Sequence, residues 1–193
     1  MPQLARSISG VAPVSGSAFD AEFRAAFEAR FAELFRWLDR YCGDAALAAD
    51  VAQETFVRLH SRGAMPDDVR AWIVSVALNL VRDEQRRTTR RRLLLMRRPA
   101  DSTMADAESS PEEVVLAAER RALVRRALDA MAPRERALLL LREEGYSYRD
   151  LALALSLNES SVGVLLMRAK EAFRKAFEGS ENNPAARRID GGV

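Results

Sequence analysis

The sequence predicts an all-α protein: two small helical domains joined by a flexible acidic linker, the second domain ending in a helix-turn-helix. Three observations carry that expectation. The apolar residues are mostly Ala, Leu and Val and aromatics make up only 7%, a mix that suits helices better than sheets. Apolar residues recur at steps of three and four along most of the chain, the period of a helix with one buried face. Between residues 99 and 111 the pattern gives way to an acidic, Ser-rich stretch whose few apolar side chains cannot offset the entropy of ordering. A length of 193 residues accommodates two such domains, each with a modest core.

The elements follow in order. Residues 1–18 contain no apolar core of a signal peptide and read as a flexible leader. Phe19 to Tyr41 reads as a helix, with Phe23, Phe27, Phe31, Leu34, Phe35 and Leu38 at helical spacing. Gly43 breaks it. Asp44 is placed to cap a second helix to about Ser61, with Ala48, Val51, Ala52, Thr55 and Leu59 on one face. Arg62 to Pro66 is a Gly- and Pro-punctuated loop. Asp67 then caps a third helix with the inner stripe Val69, Ile73, Val76 and Leu80, completing a first domain over residues 19–98.

After the linker, a second domain spans residues 112–178. Its first helix presents Val115, Leu116, Leu123, Val124, Leu128 and Met131. Pro133 suits the first turn of the next, where its missing N–H is harmless, and that helix ends before Gly145. Ser147 and Asp150 form a capping pattern for a short helix to about Leu155. Asn158 caps a last helix to about Glu178, and residues 179–193 form a polar tail that frays.

Charge is segregated. The net charge is only +2, yet Arg82 to Arg98 holds eight arginines against two acids, and Pro99 to Glu113 holds five acids and no base. Arg82, Arg86, Arg87, Arg90 and Arg91 recur at three and four, so many share a helix face able to neutralise phosphates. The alternative is a solvated charged face, weakened here because no acid is interleaved after Glu84. Trp72 and Asn79 lie two turns apart on the same helix, an aromatic and an amide suited to stacking on and hydrogen-bonding unpaired bases, or else a core Trp beside a surface Asn. Asp50, Gln53 and Glu54 form a polar, acidic face on the second helix. It lacks a third ligand for a metal, and reads as a solvated face or, more sharply, as a protein contact.

The pair of helices from Ser147 to Phe173 has the layout of a helix-turn-helix, with Val162, Leu166, Ala169 and Phe173 inward. In such units the N-terminal part of the second helix meets base edges, here Glu159, Ser160, Ser161 and Gly163, while Arg168 and Lys170 are placed for phosphates. The bland alternative is an ordinary helical hairpin.

Other chemistry is expected to be absent. The single Cys42 fits a reducing cytoplasm, and its only conventional partner as a base would be the single His60. No apolar run reaches the ~18 residues that a membrane requires, and no phosphate loop, metal set or catalytic constellation stands out. We therefore expect no enzyme activity, cofactor, metal, membrane insertion or small-molecule substrate.

Taken in order, three motifs resemble the extracytoplasmic-function (ECF) sigma factors. Asp50 to His60 (DVAQETFVRLH) is similar to the family's D-x-x-Q-[DE]-[TVA]-F signature. Asp68 to Arg87 (DVRAWIVSVALNLVRDEQRR) is close to its A-W-L…A-x-N-x-x-x-D-x-x-R-R. Tyr146 to Phe173 resembles its region 4 helix-turn-helix.

The resemblance implies promoter-specific initiation with core RNA polymerase in the cytoplasm, in a stress or envelope response. Asp50, Gln53 and Glu54 would contact the β′ clamp helices, with β a second subunit contacted. Trp72, Asn79 and the loop Ser61 to Pro66 would meet separated strands at the minus-ten element, held by Arg82, Arg86, Arg87, Arg90 and Arg91. Tyr148, Arg149 and the last helix would read the minus-thirty-five element, and the linker would thread toward the polymerase active site. An anti-sigma factor would hold the protein inactive.

One departure stands out. Recognition helices of the family often read T-V-K-S-R-L-H-R-A-R, and two of the expected cations are here Gly163 and Leu165. Val164, Leu165 and Met167 thereby become a candidate partner face. The competing readings are a helix-turn-helix regulator acting without polymerase, and a decoy or adaptor that binds an anti-sigma factor.

Overall fold

The computed structural model describes residues 18–95 and 111–181. These form α1 (Ala18–Cys42), α2 (Ala45–Arg62), α3 (Val69–Leu95), α4 (Pro111–Ala130), α5 (Pro133–Glu143), α6 (Tyr148–Leu155) and α7 (Glu159–Glu181), with no strand among the described residues. The all-α expectation holds. The leader apart from Ala18, the acidic linker apart from Pro111, and the tail beyond Glu181 lie outside the described residues.

Caps set most helix starts. Asp44 Oδ1 accepts from the Leu47 amide at 3.0 Å, and Pro133 opens α5. Ser147 and Asp150 close a reciprocal box: Oγ accepts from the Asp150 amide at 3.2 Å while Asp150 Oδ2 accepts from the Ser147 amide at 2.9 Å. Asn158 Oδ1 accepts from the Ser160 amide at 3.1 Å. The cap of α3 is Asp68 rather than Asp67. The helix begins at Val69, so the residue that can reach the third helical amide is the one directly before it, and Asp68 Oδ1 accepts from Ala71 at 2.8 Å.

The first unit, α1 to α3, is built on Leu34, Trp37, Leu38 and Tyr41 of α1 and Ala48, Val51, Ala52, Phe56 and Leu59 of α2. Trp37 is 1% exposed and stacks on Tyr41 at 5.3 Å, so it is the core tryptophan of the fold. On α3 the buried face is Ile73, Val74, Ala77, Leu78 and Val81. Of the expected stripe only Ile73 is fully buried, while Val69, Val76 and Leu80 are half-buried. The face is rotated and broadened because α3 packs on α1 and α2 and also touches α6.

The second unit joins α4, α5 and α7 around Leu128, Met131, Leu138, Leu141, Val162, Leu166 and Ala169, with Leu151 and Leu155 of α6 completing it. Gly145, at φ +79°, takes the left-handed turn that releases the chain from α5 toward α6. α6 and α7 meet at 90°, and Ser156, at φ +52°, ends α6.

Polar side chains join the two units. Arg70, in the first turn of α3, donates to Glu33 Oε1 of α1 (2.7 and 3.1 Å) and to the carbonyls of Glu144 (3.0 Å) and Gly145 (3.3 Å) beyond α5. Its guanidinium lies 3.7 Å above the ring of buried Tyr146, and Asp150 stands at 3.8 Å. Burial opposes ionisation of Glu33, but hydrogen bonds from Arg70 and Arg30 outweigh it and hold the carboxyl below its ordinary value. At the other end, Arg125 donates to the Arg40 carbonyl at 2.8 Å and Arg40 pairs with Glu144. Tyr41 donates to the Pro133 carbonyl at 3.4 Å and lies under the Arg136 guanidinium at 4.7 Å.

Replacing Ser147 with Ala removes one side of the capping box at the start of the helix-turn-helix. We expect Ser147→Ala to lower unfolding stability by about 1 kcal/mol, measurable as a lower urea midpoint at unchanged slope.

Candidate nucleic-acid interface

The candidate residues fall on three surfaces. On α2, Asp50, Gln53 and Glu54 are all exposed and share one side of the helix, and Glu54 accepts from Arg58 one turn on at 2.9 Å. Val57, 50% exposed, extends that side with an apolar contact. This is an accessible acidic surface.

On α3, Arg82, Arg86 and Arg87 are exposed, and the helix runs on through Arg90 and Arg91 to Leu95. Their acidic neighbours hold them loosely: Arg86 is 3.9 Å from Asp83 and Arg87 is 3.7 Å from Glu84. Such exposed pairs contribute little, which leaves the arginines ready for phosphates. Asn79 is exposed and accepts from Arg82 at 3.0 Å, while Trp72 is half-buried at the edge of the core. The preceding loop, Gly63 (φ +70°) included, is open to solvent up to Ala64.

The helix-turn-helix presents Glu159 and Ser160 exposed at the start of α7, with Ser161 and Gly163 half-buried. The Tyr148 ring, on a residue 44% exposed, rests beside Gly163, where a Cβ would touch it at 3.6 Å. The Arg142 guanidinium lies 5.5 Å from the Tyr148 ring centre. Together with Arg168, Lys170, Arg174 and Lys175 these residues line one groove of about 950 Å³. Cations from α5 and from the later turns of α7 thus line the groove beside positions 163 and 165, together with Glu171, which pairs with Arg174 at 2.7 Å. Sequence reasoning missed Arg142, Arg174 and Lys175, since no motif marks a residue that reaches the groove from another helix.

Of the candidate partner face, Val164 is 49% and Met167 65% exposed. Leu165 instead packs against the core, so it does not belong to the exposed set. A second groove, also about 950 Å³, is lined by the apolar Val124, Leu128, Leu139, Leu140 and Phe173, by the cations Arg40, Arg120, Arg121, Arg125 and Lys170, and by the single acid Glu143.

Cys42 and His60 do not meet. His60 packs on Phe23 (5.0 Å) near the start of α1, whereas Cys42 ends that helix, about 28 Å further along at 1.5 Å per residue. Burial pushes the Cys42 thiol up to about 12, away from the thiolate that nucleophilic chemistry needs. Among the described residues no cluster of His, Cys, Asp and Glu is arranged to hold a metal, and no single helix is long and apolar enough to cross a membrane.

The architecture and the sequence point to one family. The sigma-70 region 2 family matches residues 27–91, and sigma-70 region 4 matches residues 121–173. The ECF RNA polymerase sigma factor SigL of Mycobacterium tuberculosis is 33% identical over 175 residues, covering 87% of this chain and 97% of SigL. The RNA polymerase sigma-H factor of Pseudomonas aeruginosa is 32% identical over 154 residues, covering 72% and 77%. The fold is similar to that of the sigma factor RpoE from Bartonella quintana, solved in complex with the anti-sigma factor NepR (TM-score 0.63, 14% identity, 81% of this chain and 97% of that one). These relationships, spanning both helical units in order, place the chain in the family of ECF RNA polymerase sigma factors, which direct transcription initiation.

Proposed function

We propose that residues 19–98, which hold all but the first residue of α1–α3, form the polymerase-binding and minus-ten unit, and that residues 112–178, which hold all but the outer ends of α4–α7, form the minus-thirty-five unit, with residues 99–111 linking them. Asp50, Gln53 and Glu54 bind the β′ clamp. Trp72, Asn79 and the loop Ser61 to Pro66 take up separated strands, while the arginines from Arg82 to Arg91 grip the backbone. The observation that carries this reading is the placement, on one three-helix unit, of an open acidic face on α2 beside an open cationic face on α3. A protein contact and a nucleic-acid contact can be made at once, which a regulator acting without polymerase has no use for.

At the minus-thirty-five element, Glu159, Ser160 and Ser161 approach bases. Tyr148, Arg149, Arg168 and Lys170 hold phosphates, helped by Arg142, Arg174 and Lys175. The groove with an apolar floor and cationic rim suits an acidic amphipathic segment of a protein partner, and we assign it to the β subunit. Val164 and Met167 are the surface we assign to an anti-sigma factor. The protein acts in the cytoplasm, in a stress or envelope response, and does no chemistry of its own. Run-off transcription with core polymerase on genomic fragments, with and without the protein, tests the whole: promoter-specific transcripts that depend on it are the expected result, and their absence would remove the reading.

Three variants test the parts. Asp50→Arg with Glu54→Arg should weaken core binding at least tenfold, a loss of about 1.4 kcal/mol, with circular dichroism unchanged because both positions are exposed. Asn79→Ala should lower open-complex yield about fivefold, the worth of one hydrogen bond near 1 kcal/mol, while duplex binding stays level; permanganate footprinting reads the difference. Met167→Lys should weaken an anti-sigma complex and strengthen minus-thirty-five duplex binding through one added phosphate contact, with log affinity then falling more steeply against log salt by about 0.9.

A further inference from the structure

We infer that Arg134 is a positioning residue for promoter reading: from α5 it braces the turn between α6 and α7, and so sets how the recognition helix is presented to DNA. The inference rests on the minus-thirty-five role proposed above for α7 and adds to it a residue that acts through the turn.

Three residues, Ser156 to Asn158, separate α6 from α7, and the two helices meet across that break at 90°. α6 is only eight residues long, too short to hold its shape by helical propensity alone. Glu159, Ser160 and Ser161, assigned to base edges, follow directly after the break, so an error in the turn is carried straight into them. Yet the turn is built on a disfavoured conformation. Ser156 is left-handed, at φ 52° and ψ 55°. Among the described residues it is the only non-glycine with a positive φ; Gly43, Gly63 and Gly145 take the other such positions. A Cβ there crowds the following carbonyl, and such a residue persists only where its surroundings hold it.

Local contacts hold it in part. The Leu157 amide donates to the Ala152 carbonyl at 2.8 Å, the closing bond of a left-handed helix end, and Leu157 packs against the core. The Ser156 amide reaches the Leu153 carbonyl only at 3.5 Å. The carbonyls of Leu155 and Ser156 are met from another helix: one terminal nitrogen of Arg134 donates to both, at 3.0 and 3.1 Å. Among the described residues no other side chain from outside the helix-turn-helix bonds to this break. The C-terminus of α6 is also the negative end of the helix dipole, which favours a cation. Arg134 is itself fixed at its root, because Pro133 opens α5 directly before it.

The test uses the full chain bound to core polymerase. Its probes are a promoter fragment recovered by run-off transcription and the same fragment with the minus-thirty-five element scrambled. The readout is the ratio of the two affinities, which a mere loss of folded protein leaves unchanged because it weakens both. Arg134→Ala should lower this ratio about tenfold, the order of a charge-assisted hydrogen bond, with the salt dependence parental. Ser156→Gly alone should keep the parental ratio. In the double variant it should restore most of the loss, because glycine takes the left-handed turn without a brace. If Arg134→Ala fails to fold, Arg134→Gln, which keeps most of the stem and removes the charge, decides. A folded variant with the parental ratio would overturn the inference. So would a loss that Ser156→Gly does not restore, or a salt slope shallower by about 0.9, the mark of a lost phosphate contact. Failure of the minus-thirty-five reading is separable: the parent itself would then bind both fragments alike, and the inference would fall with it.

Discussion

A guanidinium presents five donors in a rigid fork, and a partly buried one must find acceptors for them. That constraint governs the arrangement of this molecule at Arg70. Glu33 answers the Nε side and one of the terminal nitrogens. The remaining donors meet oxygens of the second unit. The turn after α5 supplies them, where Gly145 is left-handed and the carbonyls of Glu144 and Gly145 accept from Arg70. Tyr146, set just after the turn, offers its ring to the same group, and its burial raises its hydroxyl well above the ordinary value. Position 70 and the α5–α6 turn thus fix each other, and with them the placement of the helix-turn-helix against α3.

Local signals were legible in the sequence because their causes are local. Asp44, Ser147 with Asp150, and Asn158 cap the helices they precede, and Pro133 opens its helix, since each acts on amides within three residues. The stripe of α7 was readable for the same reason: one buried face gives one period. α3 was misread by part of a turn because it is covered from two sides, so its burial does not follow a single amphipathic stripe. The docking of the two units was not legible at all. Glu33, Arg70 and Glu144 are ordinary helix-surface residues in the sequence, and what joins them is contact across 37 and 74 positions of chain.

The candidate DNA surface teaches a related lesson. Gly163 and Leu165 stand where the family often carries cations, yet the groove beside Gly163 is not poor in positive charge. Phosphate attraction depends on where charge sits in space and not on which helix bears it. Arg142 reaches over from α5, held by a bond to the Tyr146 carbonyl at 2.9 Å, and the Tyr148 ring comes near both it and Gly163. A motif read along one helix registers a deficit here, while the folded surface shows a redistribution.

The contacts also differ in how readily they can be exchanged. Pairs along α3 and within α7 are three- and four-residue contacts on exposed faces, and the two on α3 are both longer than 3.5 Å. Swapping such acids for phosphates sacrifices little, because exposed ion pairs contribute well under about 1 kcal/mol. Separating the two units is a different matter. It strips Arg70 of the Glu144 and Gly145 carbonyls and of the Tyr146 ring together, and the bonds at Tyr41, Arg40 and Arg125 with them. Water can replace the hydrogen bonds but not the stacked, partly desolvated arrangement around Tyr146. The pairs along the exposed faces of α3 and α7 are therefore the ones that exchange at little cost, whereas the contacts that join the two helical units are lost as a set and resist exchange.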